Sequence, residues 1–235
     1  MKSALFLAAA LSALAGGAHA AGTYQSYDAF YAAQPGVVFG DPINSKPGVV
    51  YSSQGEKGIH TELRVMLEGK SVQVAVAEDR ITINGRTYRY ASAATFPGEH
   101  PSDIYTPTAD VFLTSRTNAH PALFCVQGDS NGSGESDRHK QIYLLVNPLA
   151  PGSRVKFLHL PSLLSSCRAV LETKEGKLAF PKNSYLFDNA QESRVGLLVS
   201  YYTFEDRRFT PILNKIRLRF SHPEIPFQFS TQNRD

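Results

Sequence analysis

In RITINGRTYRY, residues Arg80–Tyr90, apolar and polar side chains alternate on both sides of Asn84 and Gly85. A period of two marks a strand with one buried face, and Asn-Gly readily takes the positive φ that both central positions of a type I′ turn demand. The stretch therefore predicts a two-residue hairpin. Its loop length fixes the register: Ile81 lies opposite Tyr88, an aromatic and β-branched pair on one face.

Upstream, the same period runs through Ile59, Thr61, Leu63, Val65 and Leu67, and after a turn at Glu68–Lys70 it resumes in Val72, Val74 and Val76. This half of the chain is predicted to be an antiparallel meander. Downstream, ATFPGEHPSDIYTPTAD (Ala94–Asp110) carries Pro97, Pro101 and Pro107 and reads as a long loop. Further strands are expected near Val111–Thr114, Ala122–Val126, Ile142–Val146, Arg154–Leu158, Lys177–Phe180, Arg194–Phe204, Arg208–Phe220 with a break at Pro211, and Phe227–Ser230. Two segments show helical spacing instead. One places Tyr24, Tyr27, Phe30 and Tyr31 before the stop at Pro35 and Gly36; the other, LPSLLSSCRAVLE (Leu160–Glu172), places Leu163, Leu164, Cys167, Val170 and Leu171 on one face. The fold class that follows is mainly β: an antiparallel β-sandwich or curled sheet of about ten to twelve strands with two short helices.

The first twenty residues have a basic start at Lys2, an apolar run from Ala4 to Ala15, and small residues at Ala18 and Ala20. That pattern predicts a secretory signal peptide over residues 1–20, too short to span a bilayer, with one exported β-rich domain over residues 21–235. The expected location is the periplasm or the medium. The net charge of +3 falls by one when Lys2 leaves, so composition gives no support for a nucleic-acid partner. In the densest basic run, KIRLRF, Lys215, Arg217 and Arg219 alternate with Ile216, Leu218 and Phe220, as on the outward face of a half-buried strand. The chain has two cysteines, Cys125 and Cys167, and in an exported chain an isolated pair is expected to be bonded. A closed loop of about 43 residues corresponds to roughly 4 kcal/mol in the chain-entropy model.

FCVQGDSNGSGESDRHK (Phe124–Lys140) carries several signatures at once. GDSNG fits the G-x-S-x-G frame of a serine hydrolase, but that nucleophile needs a helix behind it, and after Ser130 comes a polar run and then the strand QIYLLV. His60, Asp103 and Ser130 follow the trypsin-like chain order without that family's spacing or histidine motif. An alternative hydrolase would build its site from loops, with Ser130 and His139 meeting Glu99, His100 and Asp103. Asp129, Asn131, Ser133 and Asp137 fall at the first, third, fifth and ninth positions of a calcium loop, with Gly134 at the sixth. The twelfth, which should be Glu, is Lys140, so any calcium site here would be weak and unlike an EF-hand. The remaining reading is a long polar hairpin tip that recognises a partner through Arg138, His139 and Lys140. No zinc spacing joins the histidines. The expectation is a non-enzymatic exported protein that binds another protein or an envelope component, of the inhibitor, immunity or assembly-accessory kind.

Overall fold

The computed structural model describes residues 22–43, 50–52, 59–130 and 138–232; residues 1–21, 44–49, 53–58, 131–137 and 233–235 lie outside them. The protein is mainly β, with its strands in three sheets.

The first sheet is the meander, β2 (Val50–Ser52), β3 (Ile59–Leu67), β4 (Lys70–Ala77), β5 (Arg80–Ile83) and β6 (Arg86–Arg89), paired antiparallel in chain order. Ile81 pairs with Tyr88, and Asn84 and Gly85 have φ of 48° and 80°, as a type I′ turn requires. Asn84 is tied a second time: its N–H donates to the Gln73 carbonyl and its Oδ1 accepts the Gln73 N–H, each at 2.9 Å. Leu63, Val65, Leu67, Val72, Val74, Val76, Ile81 and Ile83 all turn inward.

What they pack on is the second sheet, ordered β7 (Ala94–Thr95), β11 (Lys156–Leu160), β10 (Lys140–Val146), β9 (Leu123–Asp129) and β8 (Asp110–Thr114). Its strands are antiparallel except for the β7–β11 pair. Phe124, Val126, Tyr143 and Leu145 face the meander, whereas Leu123, Cys125, Ile142 and Leu144 face the third sheet. This sheet is thus covered on both sides, which is why β9 and β10 read as unbroken apolar runs rather than as alternations.

The third sheet has the order β1 (Thr23–Tyr24), β16 (Ile225–Gln232), β15 (Arg208–His222), β14 (Arg194–Glu205), β13 (Leu178–Phe187) and β12 (Leu171–Glu172). Helix α1 (Tyr27–Ala32) lies across one face, burying Tyr27, Phe30 and Tyr31 against Leu197, Val199, Tyr201, Leu218 and Phe229. Ser26 caps it, accepting the Ala29 N–H at 3.2 Å. The opposite face is divided. Near the β14–β15 turn, Phe209 stacks on Phe96 at 3.7 Å and Tyr202 meets the same ring edge-on, joining the second sheet. Past a register shift, where Ser200 pairs with Lys215 but Tyr202 with Pro211, β15 bulges and the face opens to water. The expected break at Pro211 is this bulge.

One expected element is different. No α-helix forms over Leu160–Glu172; only Cys167–Ala169 make a single 3-10 turn. The segment before it runs extended beside Arg138–Lys140, with Lys140 N–H donating to the Ser162 carbonyl and Leu164 N–H to the Arg138 carbonyl. Ser162, Ser165 and Ser166 have low helix preference because their hydroxyls compete for backbone groups. Cys167 is bonded to Cys125, both fully buried, and the Gln127 side-chain oxygen accepts from Cys167 N–H and Ser166 Oγ. These ties fix a strap, Ser162–Val170, between the second and third sheets.

Candidate interaction surface

Strand β9 ends at Asp129, and Ser130 forms a last bridge with Ile104. The chain is described again from Arg138, and His139 is bridged to Leu163. Bridges therefore hold the chain on both sides of residues 131–137. Of the calcium-loop residues, Asn131, Ser133 and Asp137 lie outside the described residues. Asp129 is engaged through its backbone: its N–H donates to Thr108 Oγ1 at 2.8 Å and its carbonyl accepts from Tyr105 N–H at 2.7 Å. Among the described residues no group of three or more His, Cys, Asp or Glu side chains is placed to hold a metal ion.

The hydrolase residues are not drawn together by any hydrogen bond among the described residues. His139 Nδ1 lies 3.1 Å from Ser162 Oγ, while His100 and Asp103 are exposed on the loop after β7. That loop covers a polar cluster which the sequence alone does not reveal. The Tyr143 hydroxyl donates to the Ser102 carbonyl at 2.5 Å and accepts the Ser102 N–H at 2.9 Å, and its ring stacks on Tyr90 at 3.9 Å. Beside it, His159 is 1 % exposed, with Nε2 2.9 Å from Gln141 Oε1 and Nδ1 without a partner. Burial, helped by the nearby His100, pulls the His159 pKa down to about 4. The cluster pins the loop over the core.

The three residues expected to meet a partner part company. Lys140 belongs to β10, opposite Asp129, and its charge acts on Asp110, whose carboxyl is raised by desolvation and lowered again by Gln127 and Lys140. Arg138 and His139 are half-buried along the strap, and Arg138 reaches across to the β15–β16 turn, where Nη2 donates to the Glu224 carbonyl at 3.4 Å. In that turn Pro223 precedes Glu224 at φ 65°, the arrangement of a type II turn.

Glu224 also holds the neighbouring strand. Its carboxylate accepts the Arg194 N–H at 2.5 Å and lies 3.9 Å from the Arg194 guanidinium, and its own N–H donates to the Arg194 carbonyl. Arg194 pairs with Phe187 in the ladder and stacks 4.6 Å over the Tyr185 ring. Phe187 is 50 % exposed and Ile225, next to Glu224, is 51 % exposed. One end of the third sheet thus presents two large apolar side chains on either side of a fixed Arg194–Glu224 pair, with Arg138 at its margin. The sequence signal for Phe187 was weak: it continues the inward alternation of Asn183 and Tyr185, one step beyond the cover of α1.

Comparison with protein-family models, with characterised proteins and with solved structures gives no match.

Proposed function

We propose that the protein is exported to the periplasm or the medium and works there as a non-enzymatic binding module. It grips a protein or envelope component through the end of the third sheet. The observation that carries this reading is the pair Phe187 and Ile225, half-exposed on either side of the Arg194–Glu224 ion pair. Large apolar anchors beside a pre-ordered arginine have the composition of an interface centre, since aromatic residues and Arg dominate binding energy where water is excluded. Arg138 and His139, held by the strap, extend the same proposed surface, with Lys140 next to them at the start of β10. The leader-like first twenty residues and the buried Cys125–Cys167 bond support an oxidising compartment. An inhibitor, immunity or assembly-accessory role is consistent with such a module.

The test is affinity capture from the periplasmic fraction with the parent protein and with Phe187→Ser/Ile225→Ser. A specific partner is expected to be retained by the parent and lost, by about tenfold or more in affinity, by the double variant with its melting temperature unchanged. Equal retention by the two proteins would remove this surface from consideration.

A further inference from the structure

The outer face of the meander carries a hollow of about 170 Å³, bounded by Glu62, Gln73, Ala75, Thr82 and Gly85. Its origin is the register. Glu62, Ala75, Thr82 and Thr87 stand side by side in one row across β3, β4, β5 and β6, alternating along their strands with the inward Leu63, Val74, Ile81 and Tyr88. Ala75 is the smallest of the four, so the row dips between the Glu62 carboxylate and the Thr82 hydroxyl. Gln73, one outward position along β4, and Gly85, which has no side chain, bound one end. The wall is pre-set, because Asn84 holds the Gln73 backbone at both its N–H and its carbonyl. Among the described residues, the Glu62 carboxylate, the Gln73 carboxamide and the Thr82 hydroxyl have no hydrogen-bond or ion-pair partner.

Size, charge and hydrogen-bonding chemistry select the ligand. Sites for drug-sized molecules run to about 300–1,000 Å³, so this one suits a single ring. Arg64 is exposed at the next outward position of β3 and pairs with Gln73, so a guanidinium and the Glu62 carboxylate offset each other at the rim. Neither an ammonium nor a carboxylate ligand gains from that balance. The hollow offers an acceptor pair at Glu62, donors and acceptors at Gln73 and Thr82, and the methyl groups of Ala75 and Thr82 between them. A sugar ring has the matching pattern: adjacent hydroxyls that donate to both oxygens of one carboxylate, further hydroxyls around its rim, and a C–H face that lies on methyl groups. We propose that this hollow binds one neutral saccharide unit, with Glu62 accepting from adjacent hydroxyls, Gln73 and Thr82 completing the polar contacts and Ala75 beneath the ring. The site belongs to the first sheet and does not depend on the Phe187–Ile225 surface of the third.

The test is saturation-transfer NMR on the purified protein, with glucose, galactose and N-acetylglucosamine as separate millimolar probes. At least one sugar is expected to receive saturation from the protein. Glu62→Gln takes the charge from the hydroxyl acceptor and should weaken that binding by about tenfold or more. Thr82→Val, which keeps the side-chain shape, should weaken it by about threefold. Ala75→Leu fills the hollow and should abolish the signal, whereas Arg208→Gln, exposed at the start of β15, should leave it unchanged. Glu62→Gln and Thr82→Val preserve side-chain size, so they read the site whatever Ala75→Leu does to folding. An oligosaccharide of the responding sugar separates the two sources of such a ligand. Binding at least as tight as the monosaccharide's assigns the hollow to a glycan chain, and exclusion assigns it to a free sugar. Absence of transfer to every one of the sugars, or undiminished transfer in Glu62→Gln and Thr82→Val, overturns the proposal. Binding of methylammonium in place of the sugars also overturns it and assigns the hollow to an amine.

Discussion

Strands β10 and β15 each run between two antiparallel neighbours, yet their surroundings are opposite. Every residue of β10 from Gln141 to Val146 is buried, because sheets lie on both sides of it. β15 keeps only alternate residues from water, and past its bulge no layer of the described residues lies above one face. The lesson is a division of labour: the second sheet holds the three layers together, whereas the third can vary its outer side chains without loosening the core.

The largest effect should come from the covalent tie of the second sheet to the strap that lies between those two sheets. Removing the Cys125–Cys167 bond with Cys125→Ala/Cys167→Ala is expected to cost roughly 4 kcal/mol, measured by urea unfolding against the parent. A loss below about 1 kcal/mol would show that the strap's hydrogen bonds suffice. Leu144→Ala, which empties a site covered from both sides, should cost roughly 3–4 kcal/mol in the same measurement.

His159 gives the comparison a pH dependence. Its folded pKa of about 4 lies below the ordinary 6.5, so the unfolded chain takes up the proton first. The associated stability is complete above pH 6.5 and is lost as pH falls through the folded value, to a total of about 3 kcal/mol. Unfolding free energies across that window should show the slope in the parent protein and a flatter curve in His159→Gln. The smallest effect belongs to β15: Arg219→Ser should shift stability by no more than about 0.5 kcal/mol, because its side chain faces water. A shift as large as that of Leu144→Ala would erase the contrast between the strands.

The contrast also explains what could be read from the chain. Asn84-Gly85 and the alternating valines of β4 carry their structure locally, so hairpin, register and buried face all follow from sequence. The apolar runs around Phe124 and Leu144 signalled buried strands, although not which layers would cover them. Leu160–Glu172 misled because Leu163, Leu164, Cys167, Val170 and Leu171 satisfy a helical spacing while their environment is set at a distance. Asn183 Nδ2, far along the chain, donates to the carbonyls of Leu163 and Leu164, and Cys125 holds Cys167. Leu164 accordingly takes φ 46°, which no helix accommodates. Arg138 and His139 stood out as charges in a polar run, but their ladder with the strap pairs residues more than twenty positions apart. The Tyr143–Ser102 lock escaped for the same reason, joining residues 41 apart.

The clamped roots of the polar tip have a practical consequence. Ser130 is bridged to Ile104 and His139 to Leu163, so the two posts keep their positions whatever length of chain joins them. A foreign peptide spliced between them leaves both ladders in register, and doubling the length of such a connection costs only about 0.6 kcal/mol of closure entropy. An epitope or a fluorescent reporter spliced there is expected to leave the melting temperature within a few degrees of the parent's.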